Sequence, residues 1–426
     1  MLKLFFSQNF QKEKIFQTKE IDGEIEGAAR RQEDKVRKYH DGYERLKLYN
    51  LRENKSILTD NNDLCIYTDG EEKFRDLIRE IRKAGKYICL EYYIIRRDEI
   101  WRAIRKELEK KVKEGVEVRV LFDSIGCRKM KRKEWKELKK AGIQVAEFFP
   151  ALFGCFQLHM NYRNHRKIVV IDGKCGFIGG FNIGREYVGK EETFGNWRDT
   201  HIRIKGGAVV SLLIRFVLDW NYAAGENLFR KDHLFGIPAF ENTGNTPVQI
   251  ISSGPDSSTP VIRNNYLQLI HMAKKKIYIQ TPYFIPDDAI KEALIVAARS
   301  GIDVRIMTPC KPDHPFVHWA TRSYLGEMLR YGVKCFFYED GFLHAKSLCI
   351  DESVSCLGTA NMDIRSFSLN FEINAVIYSE QVTQRLMTEF ENDMLNSREM
   401  TKTDYDKRGL QERVKERCSR LFSPIL

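Results

Sequence analysis

His165, Lys167 and Asp172 stand in the order His-x-Lys-x-x-x-x-Asp, and His344, Lys346 and Asp351 repeat that spacing in the second half of the 426-residue chain. Chance places two such triples in fewer than about one chain in 1,000 of this length. The surroundings repeat as well: each triple leads through a short apolar run and a turn of small residues to an asparagine, Asn182 or Asn361. This set suits an anionic phosphodiester. Lysine is a cationic donor for a non-bridging phosphate oxygen and the Asn amide adds a neutral one. The small residues beside it, with Thr359 in the second copy, let backbone donors approach. Histidine can attack phosphorus or move a proton near neutral pH. Two such sets could clamp one phosphorus from opposite sides. A lysine two residues from each histidine would repel a cation, so neither a metal nor any other cofactor is expected.

The residues around each motif must position it. His165 to Asp172 is rich in β-branched residues and ends in the turn pair Asp172-Gly173. With period two, His165 and Lys167 share one strand face, and Asp172 falls on the other face or in the turn. Asp172 and Asp351 therefore belong to the candidate catalytic set by motif, while their phase predicts that they hold the hairpin.

The chain resembles the phospholipase D superfamily and, within it, the bacterial cardiolipin synthases. The likeness rests on Asn161 to Asp172 with Gly176 to Gly184, on Trp197-Arg198-Asp199-Thr200-His201, on Thr281 to Pro286, on Asn361 to Ser366 with Leu369 to Glu372, and on the carboxyl end from Leu421. It implies metal-independent phosphatidyl transfer through a phosphohistidine, joining two phosphatidylglycerol molecules into cardiolipin and releasing glycerol. By that analogy His165 is the nucleophile and His344 the acid and then the base. Glu372 matches the family position that orients the imidazole, with Asp199 as its counterpart. Hydrolysis by the same twin site, as a phospholipase D or a nuclease, is the alternative, and a catalytically idle binding relative is a third reading. The Arg-Ser-x-x-Leu-Asn-Phe-Glu segment favours transfer.

A formal charge of +11 points to an anionic partner. It is densest from Cys127 to Lys140, with eight basic and two acidic residues. With the resemblance, the expected partner is an anionic phospholipid membrane containing phosphatidylglycerol, rather than nucleic acid, although the same field would attract both. No run reaches the roughly eighteen apolar residues of a membrane span. Family members usually begin with two membrane helices, and Leu2 to Lys19 is similar to the basic stretch after the second. Peripheral attachment at the cytoplasmic face is therefore expected. The scattered cysteines, with no Cys-x-x-Cys pair, fit a reducing compartment.

The halves align beyond the motifs: Gly115 to Val120 with Gly301 to Ile306, Ile88 to Glu91 with Ile277 to Gln280, and Phe216-x-x-Asp219 with Phe390-x-x-Asp393. Strands alternating with helices predict an α/β fold of two homologous units. Each would be a mixed sheet flanked by helices, the pair related by a pseudo-twofold axis with the site at the seam. The expected divisions are a basic leader over 1–55 with no core of its own, a first unit over 56–235 and a second over 236–426. The apolar run Phe148 to Phe156 reads either as an acyl-chain lip or as a buried strand end, with Trp319 and Tyr324 as a candidate opposite wall.

Overall fold

The structure is a computed structural model that describes residues 26–149 except 35, 162–190, 194–228 and 243–423. Helix Gly70–Lys83 shows how the repeats build their layers. The Asp69 carboxylate caps it by accepting from the Glu72 N–H, acids fill its first turn, bases fill its last, and Phe74, Leu77 and Ile81 form its buried face. Helix Val261–Met272 presents Ile262, Tyr266, Leu269 and Ile270 at the corresponding place in the second half.

Sixteen strands of the described residues join in one mixed sheet. One half runs, from its edge inward, Gln144–Phe148, Glu117–Asp123, Tyr87–Tyr92, Ile168–Ile171, Cys175–Gly179, His201–Lys205, Thr59–Tyr67. The other half has the same order of equivalents: Lys334–Tyr338, Asp303–Pro309, Lys276–Gln280, Ser347–Ile350, Val354–Gly358, Asn370–Ile377, Thr246–Ser253. Strand Ser397–Met400 adds an outer edge beyond Lys334–Tyr338. The halves meet where Thr59–Tyr67 pairs antiparallel with Thr246–Ser253, with a bulge between Thr59 and Asn62. The central strands are buried along their whole length, as in Asn370–Ile377, because helices cover both sheet faces.

One feature departs from the expected leader. Helix Glu44–Asn54 packs on the second half, where Leu46 and Leu51 join the core around Ile262, Ile277 and Ile306. Asn50 donates to Gln249 and accepts from Asn265. The chain thus crosses the second half before it begins the first strand. Phe148 and Phe149 are buried and pack on Phe371 and Tyr222, a strand-end environment. The rest of the proposed lip, 150–156, lies outside the described residues, as does most of the segment near the join. Tyr324 is a core residue, which removes it as an exposed wall. No helix of the described residues is long and apolar enough to cross a membrane.

Candidate active site

His165 and Lys167 stand just ahead of strand Ile168–Ile171, not inside it as the sequence predicts, and His344 and Lys346 stand likewise ahead of Ser347–Ile350. The reason is that the chain before each motif bonds to the opposite half. Arg163–Asn164 runs parallel to Asn370–Phe371, and the His165 N–H donates to the Phe371 carbonyl at 3.0 Å. In mirror fashion Phe342–Leu343 runs parallel to Trp197–Arg198, and the His344 N–H donates to the Arg198 carbonyl at 2.7 Å.

This crossing delivers each histidine to the other half's carboxylate. His165 Nδ1 lies 3.0 Å from both oxygens of Glu372, and His344 Nδ1 lies 2.6 Å from Asp199 Oδ2. An ionised carboxylate only accepts, so Nδ1 carries the proton and Nε2 offers a lone pair. Both side chains are 11% exposed. Rings frame them: Tyr93 meets His165 edge-on at 5.0 Å, and Trp197 lies 5.2 Å from His344.

Burial lowers the His165 pKa to about 4, with Lys167 and Lys346 adding to the drop and Glu372 opposing it. Burial also lowers His344, followed by Lys346, with Lys167 of the other motif contributing. That cross-talk puts both motifs in one electrostatic environment. Burial would raise Asp199 and Glu372, but Lys346 and His344 around the first, and His165 and Lys167 around the second, outweigh it and hold both low. The lysines are buried; Lys167 Nζ donates to the His165 carbonyl at 2.7 Å, and Lys346 Nζ donates to the His344 carbonyl.

Desolvation brings Lys167 down to about 7 and Lys346 to about 8, from an ordinary value of 10.5. Between the folded and unfolded values the unfolded chain binds more protons, so these groups favour folding increasingly as pH rises through that window. A bound anion reverses the effect by restoring the ammonium groups. Titration calorimetry with tungstate in buffers of different ionisation enthalpy is expected to show net proton uptake on binding at pH 8, where both lysines are substantially neutral before the anion arrives. Buffer-independent heats at pH 8 would contradict this.

The motif aspartates do not join the cluster. Asp172 sits at φ 52° and accepts from the backbone N–H groups of Gly85, Lys86 and Tyr87 at 2.7–2.9 Å. Asp351, at φ 51°, does the same for Lys274, Lys275 and Lys276 at 2.6–2.8 Å. Each carboxylate ties the hairpin to the start of the neighbouring strand, so their place in the motif reflects architecture rather than contact with a reacting atom. Asp351→Asn keeps an oxygen acceptor and tolerates the left-handed backbone. It is expected to cost about 1–2 kcal/mol of stability with turnover per folded molecule unchanged. Abolished turnover at an unchanged melting temperature would refute that.

Thr359 also departs from expectation. Its hydroxyl donates to Glu372 Oε2 at 2.5 Å and its N–H is taken by Asn374 and the Ile373 carbonyl, so it positions the carboxylate instead of facing a phosphate. Asn370 supports the other Glu372 oxygen at 3.2 Å. In the first half the equivalent of Thr359 is Gly180, where a Cβ would fall 1.9 Å from Asp199 Oδ1. Asn182 accepts from the Ile94 N–H and donates to Tyr187, while Asn361 donates to Asp363. An amide nitrogen has two hydrogens, so each Asn keeps one for a ligand. Burial raises Asp363 to about 6.

Two supporting pairs were not assigned roles from the sequence. Arg166 reaches Asp219 at 2.5 Å, and Arg198 grips Asp393 through two contacts at 2.9 and 3.0 Å. The Phe-x-x-Asp echo marked both acids, but nothing local named their partners. Among the described residues no group of three His, Cys, Asp or Glu side chains is placed to hold a metal.

The family model described as "Cardiolipin synthase, PLD-like domain" matches residues 77–200 and 266–394, one stretch in each half. The chain is 51% identical over 379 residues to the cardiolipin synthase of Staphylococcus aureus (strain N315), covering 89% of this chain and 76% of that one. It is 47% identical over 378 residues to the major cardiolipin synthase ClsA of Bacillus subtilis (strain 168), covering 88% and 78%. The fold is similar to the solved structure of phosphatidylserine synthase from Haemophilus influenzae Rd KW20, with a TM-score of 0.69 at 14% identity over 90% of this chain and 100% of that one. Crossed histidine–carboxylate pairs on a duplicated sheet, with about half of the aligned residues identical to each of the two cardiolipin synthases, lead to one assignment: the chain belongs to the cardiolipin synthase family of phospholipase D-like proteins.

Proposed function

We propose that the protein transfers a phosphatidyl group from one phosphatidylglycerol to a hydroxyl of another, forming cardiolipin and glycerol. The observation that carries this reading is the crossed pair of Nδ1-anchored histidines with a buried lysine beside each. His165 Nε2 attacks phosphorus while the bond to the glycerol oxygen breaks, and His344 gives that oxygen a proton. The N–P bond formed is then cut by the glycerol hydroxyl of a second phosphatidylglycerol, whose proton returns to His344. Lys167, Lys346 and the free hydrogens of Asn182 and Asn361 hold the non-bridging oxygens. The phosphodiester's negative charge opposes the low pKa of His344, favouring the imidazolium needed for the first step. The lipid substrates put the reaction at a membrane surface, and the basic segment 127–140 with the cysteines, which are free among the described residues, supports its cytoplasmic face. The unit boundaries near 55 and 235 follow from the repeat.

The test is mass spectrometry of lipids after incubation with phosphatidylglycerol vesicles in a chelator, beside His165→Ala. Cardiolipin from the intact chain alone supports the reading. Phosphatidic acid in its place would mean that water is the acceptor, as in a hydrolase of the same site. The absence of both would reject it.

A further inference from the structure

The carboxyl-terminal helix Leu410–Leu421 is built inside out. Its buried positions are Glu416 and Ser419, each 2% exposed, while Leu410, Val414 and Leu421 are 77%, 51% and 80% exposed and Phe422, just after it, is 49% exposed. A helix on a water-soluble surface turns its apolar stripe inward. Here the inward side is polar: one Glu416 oxygen accepts from Arg408 at 2.8 Å and from the Tyr405 hydroxyl at 3.2 Å, and the other faces Arg322 at 3.6 Å. Leu410, Val414, Cys418 and Leu421 follow one another at helical spacing along the outward side.

Beside this stripe lies a cavity of about 610 Å³ between the helix, Tyr405 and helix Pro315–Leu329. Five guanidinium groups, of Arg330, Arg408, Arg413, Arg417 and Arg420, line it against three carboxylates, of Glu327, Asp406 and Glu416. Two of the arginines are committed to acids: Arg408 to Glu416 and Arg420 to Glu327. Arg413 donates to the Arg408 and Asp406 carbonyls and forms no ion pair among the described residues. Arg330 and Arg417 form no ion pair among the described residues and are exposed at the cavity. The volume suits a small polar ligand, and the surplus of planar cationic donors suits a phosphate. Gly326 makes the arrangement possible, since a Cβ there would fall 1.8 Å from the Tyr405 ring.

We infer that this end of the molecule is a second lipid site, separate from the histidine cluster. The Arg330, Arg413 and Arg417 cavity seats the phosphate headgroup of an anionic phospholipid, while Leu410, Val414, Leu421 and Phe422 enter the acyl boundary of the same leaflet. Charge selects this occupant: apolar side chains flanked by unpaired arginines are complementary to an anionic interface, where arginine reaches the headgroups as its neighbours bury. The inference goes beyond the proposed reaction and does not depend on which product that reaction gives.

The experiment is co-sedimentation of the full chain with vesicles of phosphatidylglycerol in phosphatidylcholine, and with phosphatidylcholine alone. It compares the native chain with Leu410→Ser/Val414→Ser/Leu421→Ser and with Arg330→Gln/Arg413→Gln/Arg417→Gln. Each triple variant is expected to bind anionic vesicles at least about tenfold more weakly, with an unchanged melting temperature. The basic segment 127–140 would supply the residual binding. Turnover of a detergent-dispersed short-chain substrate is measured in parallel and should stay at the native level in both variants. Loss of that turnover in the native chain would count against the proposed reaction and leave this site standing. Undiminished vesicle binding in both variants would overturn the site. So would displacement from vesicles by inorganic phosphate at constant ionic strength, which would mark a free-anion pocket. A fall in hydrodynamic mass in the apolar variant would also overturn it, by making the stripe a contact between two copies.

Discussion

Glu372→Gln is expected to reduce phosphatidyl transfer by about 10⁴-fold, and Asp199→Asn by a similar factor, with little change in folding. Each replacement keeps the shape of the side chain, but an amide can present N–H to the ring and reverse the tautomer that leaves Nε2 free. It also removes the charge that stabilises the imidazolium. Because the pairs are crossed, the two variants damage different steps. In the proposed assignment Glu372→Gln disables His165 as the nucleophile, whereas Asp199→Asn disables His344 as the acid, since each carboxylate holds the other half's histidine. A substrate whose headgroup is a nitrophenol needs no proton on departure. Formation of the phosphohistidine from it should recover in Asp199→Asn and stay low in Glu372→Gln. The opposite pattern would exchange the roles of the two histidines, and recovery in neither would remove both carboxylates from the orienting role.

The largest expected effect on stability lies behind the first motif. Arg166 is 1% exposed; it donates to Asp219, to the Glu372 carbonyl at 3.2 Å and to the Ser253 carbonyl at 3.3 Å, so it joins helix Ala208–Ala224 to the second half. Nearby Glu91 is buried with its oxygen on Asn164 at 2.6 Å, and burial, then the charge of Asp219, holds its carboxyl well above the usual range. Glu91 is therefore a neutral reserve. In Asp219→Ala the repulsion that keeps it protonated disappears, and it can ionise towards Arg166, limiting the loss to about 2–3 kcal/mol. Asp219→Ala with Glu91→Gln leaves the buried Arg166 with only the weaker influence of Asp256 and is expected to cost about 5 kcal/mol. Urea unfolding of the two single variants and the double variant measures this. An effect of the double variant no larger than the sum of the singles would refute the reserve.

Much of the fold was legible because a duplication repeats local signals. The apolar spacing of Phe74, Leu77 and Ile81, and of Ile262, Tyr266 and Leu269, is that of the helices over 70–83 and 261–272, and the glycine-opened runs at Gly115 and Gly301 lead into matching strands. Each of these is a local property, set by which side chains a short segment must bury. Asp172 and Asp351 are out of phase with the histidine and lysine of their motifs, which left the other strand face or the turn open to them, and both lie in the turn. The leader was harder to read, because the core that Leu46 and Leu51 enter is assembled from residues more than two hundred positions away.

The sequence by itself determined the chemical inventory: two histidines, two lysines, two asparagines and two carboxylates, in positions that local spacing can register. Only the tertiary structure decided their partners. Nothing within a half tells His165 to choose Glu372, or His344 to choose Asp199. That choice arises because the strands preceding the motifs pair across the seam, moving each imidazole out of its own repeat. The difference between Gly180 and Thr359 has the same origin. The shorter Asp199 occupies the space a side chain at Gly180 would need, whereas the longer Glu372 leaves room for the Thr359 hydroxyl that holds it. Spacing along a chain records what one segment does; a site made by two halves facing each other is fixed by contacts that no single segment contains.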